Sequence, residues 1–456
     1  MRSGSGLGRF LAMGAVLAAT LLTAGVAVPG SAAPAGRPHA WRAGLTRIPT
    51  GAAGAPAISA DGRVVAYPSA GQVWATDLTT GRTELVSQRA PRMPRMPGAT
   101  PVAAPGGARA GAVPAAAPVA VPPVPVAPPG AAGAEREPDG PQLSLSADGR
   151  LVTFVSDAAG LVPGIGGGVA RVYLRDRATR RTSLVSADRR GRPLAAPARD
   201  PRISGDGRWI AFTAESAAPY AAPYQDGTTP AGRPGSELWL RDRLAAGAAV
   251  VPLGGGGVST GSPALSGDGE VLAGVVLTCP DRDCRAGGRR TILTLDRRSG
   301  RVARVPAAVD PGRTLDLRVS LDWPGRRVAF EHGRRVLVAD RTRGRVIEAA
   351  GPDDGAVRLA DLSSNGRWLA FTSDTGAGGR TLGGLFLRDL RMHGTVRVTH
   401  DESCTAAAGA VPGRAQLAAG ARRVVFTADA RLTAADPDRR PDVHVRDRRG
   451  TGEACG

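Results

Sequence analysis

Three aspartates near the end of the chain, Asp436, Asp438 and Asp442 in "ADPDRRPDVHVRD", place carboxylates at i, i+2 and i+6. Hard oxygen donors gathered in a loop are the chemistry of a Ca²⁺ site. No twelve-residue EF-hand pattern surrounds them, so the competing reading is a polar surface loop. Gly257-Val258-Ser259-Thr260-Gly261 matches the spacing of a hydrolase nucleophile elbow. That elbow needs a strand before the serine and a helix after it. No helix-forming segment follows here, so the match is read as coincidence.

The five histidines, His39, His332, His393, His400 and His444, are scattered, and no H-E-x-x-H occurs. "HDESC" at His400 sets acid, imidazole and hydroxyl side by side in sequence, where side chains seldom converge, and is read as a loop. The sequence contains no Lys, and so no phosphate-cradling glycine loop that ends in one. Four cysteines in an exported chain predict disulfides rather than a metal site. Cys279 and Cys284 bracket "PDRD" and would close a small loop, and Cys404 would pair with Cys455 by elimination.

Export is read from the N-terminus. Arg2 and Arg9 precede an apolar run from Leu11 to Val28, and small residues follow at Ser31 and Ala33. This is the form of a secretory signal peptide over 1–33. A retained membrane anchor is the other reading. Residues 34–43 would then form an N-terminal tail and 450–456 a C-terminal one.

Whatever these groups do, a repeated unit must position them. "ISADGRVVAY" at Ile58 returns as "LSADGRLVTF" at Leu145, "ISGDGRWIAF" at Ile203, "LSGDGEVLAG" at Leu265 and "LSSNGRWLAF" at Leu362. An apolar strand ends in Ser, Asp-Gly or Asn-Gly makes the turn, and a second strand follows. Glycine tolerates the positive φ that a tight hairpin turn requires. A third strand such as "RVYLRD" and a fourth such as "RTSLVS" complete the unit. Two eroded copies, "LDWPGRRVAF" and "LAAGARRVVF", bring the count to seven.

Regular copies of a four-stranded antiparallel sheet are best buried by radial stacking. The predicted fold is therefore all-β, a seven-bladed β-propeller, with six blades as the alternative. The last copy lacks a fourth strand, whereas "GLTRIPT" (Gly44 to Thr50) stands unclaimed before the first. It is expected to complete the last blade and close the ring, removing an exposed sheet edge.

This grammar resembles the TolB-like, WD-repeat-like propeller family of exported bacterial proteins, over 44–449. The resemblance implies a propeller without implying a particular activity. An Ala- and Pro-rich insert over 89–141 interrupts it and reads as a disordered surface loop.

Long excursions fall on second-to-third loops and between blades, and hence on one face of the ring. Arg-rich third-to-fourth turns gather on the other, tight face. Loops on a rigid scaffold are where recognition concentrates, so the elaborated face and the channel mouth are the expected binding region. The net charge is +19, yet all 59 basic residues are Arg, and with 63 Gly and 38 Pro this reflects coding bias rather than nucleic-acid binding. The expected function is a secreted or envelope-associated, non-enzymatic scaffold. Its partner would be a protein or cell-envelope polymer, with no cofactor beyond the Ca²⁺ candidate and no transmembrane span once the signal is cleaved. The alternative is a propeller lyase or hydrolase with a site at the channel mouth.

Overall fold

The structure is a computed structural model that describes residues 44–48, 54–89, 143–215, 236–245, 247–251, 253, 258–259, 263–278, 289–310, 318–374, 383–401, 405, 415–428, 432–433 and 441–448. The signal-like segment, most of the Pro-rich insert and four of the long elaborated-face loops lie outside these residues.

Seven antiparallel blades surround an axis, each built of four strands A to D from inside to outside. Blade 2 shows the pattern: Leu143–Leu145, Leu151–Ser156, Arg171–Asp176 and Arg181–Leu184 pair in that order. Blade 7 takes strands A to C from Ala415–Leu417, Arg423–Ala428 and Asp442–Asp447. Its strand D is Leu45–Ile48, paired from Leu45 with Arg446 to Ile48 with Val443. The N-terminal strand therefore closes the ring as expected. Among the described residues two short 3₁₀ turns interrupt the sheets, and no helix is long and apolar enough to cross a membrane.

The B strands are buried on both faces. Val64 to Tyr67 and Leu151 to Phe154 are buried at every position. Each blade is sandwiched between two others, so both faces of its middle strands meet apolar neighbours. Alternation decides only which seam a side chain fills. Val64 packs with Val152 and Phe154 of the next blade, whereas Val65 packs with Val425 and Val443 of the previous one.

Within a blade, strand B sets an aromatic ring against its register partner on strand C. Phe154 stacks on Tyr173 with centroids 5.7 Å apart, and Phe371 on Phe386 at 5.6 Å. Offset stacking of this kind adds to area burial.

The Ser-x-Asp-Gly turn is a small hydrogen-bonded cage. Ser146 Oγ donates to Asp148 Oδ1 at 2.6 Å and accepts Leu151 N–H at 2.9 Å. Asp148 Oδ1 also accepts Arg150 N–H at 3.0 Å, while Gly149 holds φ at +67°. In blade 5 Asp322 replaces the serine and accepts Arg327 N–H through its own carboxylate at 2.9 Å. In blade 7 Ala418 replaces the serine, and the glycine's place falls to Ala421, at φ +54°, rather than to Gly420. The bond from Ala421 N to Ala418 O, 2.9 Å, matches that from Gly149 N to Ser146 O.

Blades 3 and 4 are joined at one end. Val258–Ser259, the centre of the G-x-S-x-G segment, is a two-residue strand that pairs with Ser236 of blade 3 and with Val276 and Leu277 of blade 4. The segment bridges two sheets, and no helix follows it among the described residues.

Candidate functional site

The two faces of the ring are built by different chemistry. On the tight face, backbone bonds run from turn to turn around the axis. Asp61 N donates to Ala147 O, Ala147 N to Gly205 O at 2.9 Å, Gly205 N to Gly267 O at 2.7 Å, Trp323 N to Ser364 O at 2.7 Å, and Ala419 N to Ala60 O at 2.8 Å.

The arginines of this face hold the same turns. Arg177 Nη1 donates to Gly149 O and Arg243 Nε to Gly207 O, both at 2.8 Å, while Arg297 Nε and Arg341 Nη1 reach Gly269 O and Gly325 O at 2.6 Å. Each of these residues follows the aspartate that ends its own strand C. The aspartates are engaged as well. Arg150 grips Asp176 with two bonds of 3.0 and 2.7 Å, and Arg367 does the same to Asp389. These bonds hold the carboxyls of Asp176 and Asp389 well below the usual range, at about 2. Much of the Arg gathering seen in the sequence thus braces the turns of its own blades.

The channel is lined by the A strands and has a volume of about 200 Å³. Aligning the repeats on the turn serine brings seven equivalent positions to one level: Ala57, Ser144, Arg202, Ala264, Ser320, Asp361 and Gln416. Ala, Ser and Gln fit a narrow axis, and the two charged residues stand out. Both sit where strand A bulges, between Arg199 and Arg202 in blade 3 and between Leu359 and Asp361 in blade 6. A bulge re-aims the side chain that follows it.

Asp361 is fully engaged in the wall. Its Oδ1 accepts Ser320 Oγ at 2.8 Å and Leu362 N–H at 2.9 Å, and its Oδ2 accepts Leu417 N–H at 3.0 Å. It therefore joins blades 5, 6 and 7. Burial pushes its carboxyl up, against the pull of these bonds and of Arg202. Glu331 lies in blade 5, where Oε1 accepts Leu359 N–H at 2.7 Å and Oε2 meets Arg358 at 3.4 Å. Burial raises its pKa too, opposed by Arg318 and Arg358.

Two cations reach the channel. Arg202 Nε donates to Pro263 O at 3.2 Å, and Arg318 Nη1 to Leu359 O at a long 3.4 Å. Arg202 is half-buried in the channel wall. Burial lowers its pKa, against Asp361 and Asp200, and Arg318 lowers it further.

At the tight-face end, Trp323 lies across the turns of blades 3 and 4. A Cβ on Gly205 or Gly267 would stand 2.1 or 2.2 Å from its ring. Only glycine leaves room for the indole, which remains 37% exposed. The eroded turn of blade 5 thus places an aromatic lip on the channel.

On the elaborated face, the loop Asp157 to Ala170 of blade 2 is well placed. Leu161 is buried against the core, and Gly168 N donates to Asp157 O at 2.9 Å.

The residues first singled out fare differently. Asp442 starts strand C of blade 7, buried, with its Oδ2 accepting Arg47 Nε at 2.5 Å. Asp436 and Asp438 lie outside the described residues, as do Cys279, Cys284, Cys404, Cys455 and His39. His444 takes the aromatic place of strand C, stacked on Phe426 at 5.6 Å. His400 is buried after strand D of blade 6, and burial lowers its pKa. His393 holds a turn at φ +59°, and His332 ends strand B of blade 5. Arg202, Arg318 and Asp361 were not singled out. The signal for two of them was present as charge at a repeat position otherwise held by Ala, Ser or Gln.

No family model matches the chain, and no curated protein matches it. Solved structures do. The β-propeller domain of Myceliophteria thermophila Cps50 (Swd1) aligns at TM-score 0.46 and 11% identity, over 88% of this chain and 98% of that one. Kuenenia stuttgartiensis hydrazine synthase aligns at 0.45 and 13%, over 86% and 99%. The propeller domain of the Pyrococcus furiosus trilobed protease aligns at 0.44 and 11%, over 86% and 93%.

Proposed function

We propose that this chain is an exported propeller of the TolB-like type that works as a binding scaffold for a protein or cell-envelope polymer, without turning over a substrate. The observation that carries this reading is the engagement of the carboxylate in the channel wall and of the one buried behind it. Asp361 and Glu331 both accept hydrogen bonds from the backbone of neighbouring strands. A general acid or base must instead present a titrating group to the reacting atom within hydrogen-bond reach. Loops carried by a rigid ring suit recognition, and Asp157 to Ala170 is one such loop.

The test is capture from the cell-surface fraction. The full chain and a variant with 158–169 replaced by a short Asn-Gly turn would be immobilised side by side. One partner retained by the full chain and lost from the variant supports the scaffold. Turnover of ester, peptide or polysaccharide substrates that disappears in Asp361→Asn would replace it with the enzyme reading.

A further inference from the structure

We propose that the axial channel is a receptor for a small organic acid, whose carboxylate is held between the guanidinium ends of Arg202 and Arg318. The proposal rests on the binding-module reading above and names a ligand class for its channel.

The argument starts from donors without acceptors. A guanidinium carries five N–H groups in a fixed fork. Arg202 and Arg318 each donate to one backbone carbonyl, and neither has another hydrogen-bond partner among the described residues. Both line the same cavity, and the Arg318 charge acts on Arg202. Three carboxylates lie near. Asp361 is held by Ser320, Leu362 and Leu417, Glu331 by Leu359 and Arg358, and Asp200 Oδ2 by the Thr213 hydroxyl at 3.1 Å. They soften the positive potential, and among the described residues none of them accepts a hydrogen bond from either guanidinium.

A carboxylate entering between the forks would take paired, charge-assisted bonds, the strongest available to Arg. The cavity favours an organic acid over a bare inorganic ion. Its volume of about 200 Å³ exceeds what one small anion fills, and its wall is apolar at Leu145, Ile203, Leu359 and Leu417, with Trp323 at one end. An apolar body on a carboxylate head matches that division.

The full chain would be titrated with butyrate and succinate, and with chloride and inorganic phosphate at equal ionic strength. Saturation-transfer NMR on the small molecule and the melting midpoint give two independent readouts. Both carboxylates should show transfer and raise the midpoint. Apparent affinity should fall about tenfold or more in Arg202→Gln and in Arg318→Gln, but stay unchanged in Arg343→Gln on the exposed tight face. If the glutamine variants fold poorly, Arg202→Lys and Arg318→Lys keep the charge and lose the fork, and should weaken binding in the same direction.

Equal responses to phosphate or chloride would overturn the carboxylate assignment, as would no transfer with the unaltered chain. A chain that captures its surface partner but ignores carboxylates refutes the channel site alone. One that binds carboxylates but captures nothing refutes the scaffold and leaves the channel site standing.

Discussion

Arg423 of blade 7 donates through Nη1 to the carbonyl of Gly62 in blade 1 at 2.6 Å, crossing the seam where the ring closes. Arg327 of blade 5 reaches Gly366 O of blade 6 in the same way. In the other blades the turn carbonyl is taken by the blade's own arginine after strand C, Arg177, Arg243, Arg297, Arg341 or Arg448. Blades 1 and 6 carry Leu78 and Leu390 at that place, identified by the same backbone bond to strand B. The swap is complementary. Where the preceding blade offers Val64, Leu151, Trp209, Val271 or Trp368 beneath the turn, the arginine comes from within. Where it offers an arginine, the inner residue is leucine.

This reciprocity predicts compensation. Arg327→Val should cost about 1–3 kcal/mol, because a charge-assisted bond to a part-buried carbonyl is lost. Leu390→Arg in that background supplies the donor from the other side and should restore at least half. Chemical denaturation of the two single variants and the double variant measures the coupling. Additive losses, with no recovery, would show that the two arginine positions are not exchangeable.

Gly149 carries two constraints at once. Its φ is +67°, and a Cβ there would stand 2.6 Å from Val64 Cβ across the seam. Left-handed backbone costs an L-residue about 1–2 kcal/mol, and overpacking adds about 1–3 kcal/mol. Gly149→Ala should therefore destabilise by about 2–5 kcal/mol, and adding Val64→Ala should recover only the contact part. Full recovery in the double variant would mean that φ contributes nothing.

Deleting residues 44–50 removes strand D of blade 7, together with Arg47, which pairs with the buried Asp442 carboxylate among its contacts. A buried charge stripped of its partner is strongly destabilising, and the exposed edge of strand C is open to association. The shortened chain should melt at a much lower temperature and aggregate. An unchanged melting transition would show that the seam does not depend on the terminal strand.

The repeat was legible because its turn chemistry is local. Ser146, Asp148 and Gly149 satisfy one another within a few residues, so the pattern survives in sequence wherever the cage is kept. Blade 7 was harder to align because Ala421 takes the place of the turn glycine while Gly420, left-handed as well, stands one residue earlier, so a search for glycine finds the wrong residue. The basic tight face was legible as composition but not as structure. Its arginines act on turn carbonyls that no sequence spacing announces, most within their own blade, with Arg327 and Arg423 reaching across a seam. Arg318 was hidden for a related reason, since it precedes strand A and its relation to Arg202 exists only once the ring is closed. Arg202 and Asp361 could have been found by comparing copies column by column, whereas the elbow-like Ser259 drew notice for a spacing that the fold uses to bridge two blades.

The paired aspartates set the response to acid. The carboxyls of Asp176 and Asp389 sit at about 2 in the folded chain, chiefly through Arg150 and Arg367. In the unfolded chain they return to about 4. A depressed folded value means that the unfolded state binds protons first, so stability falls as pH drops from about 5 toward 2 and is fully present above that window. Both arginines are substantially exposed, so solvent screening keeps each contribution modest. Asp176→Asn with Asp389→Asn should lower the melting midpoint at pH 7 while flattening its decline between pH 5 and pH 2. A double variant whose acid profile runs parallel to that of the parent would place the sensitivity in other carboxylates, with Asp242 and Asp340, also held below the usual range by Arg208 and Thr342, as the next to substitute.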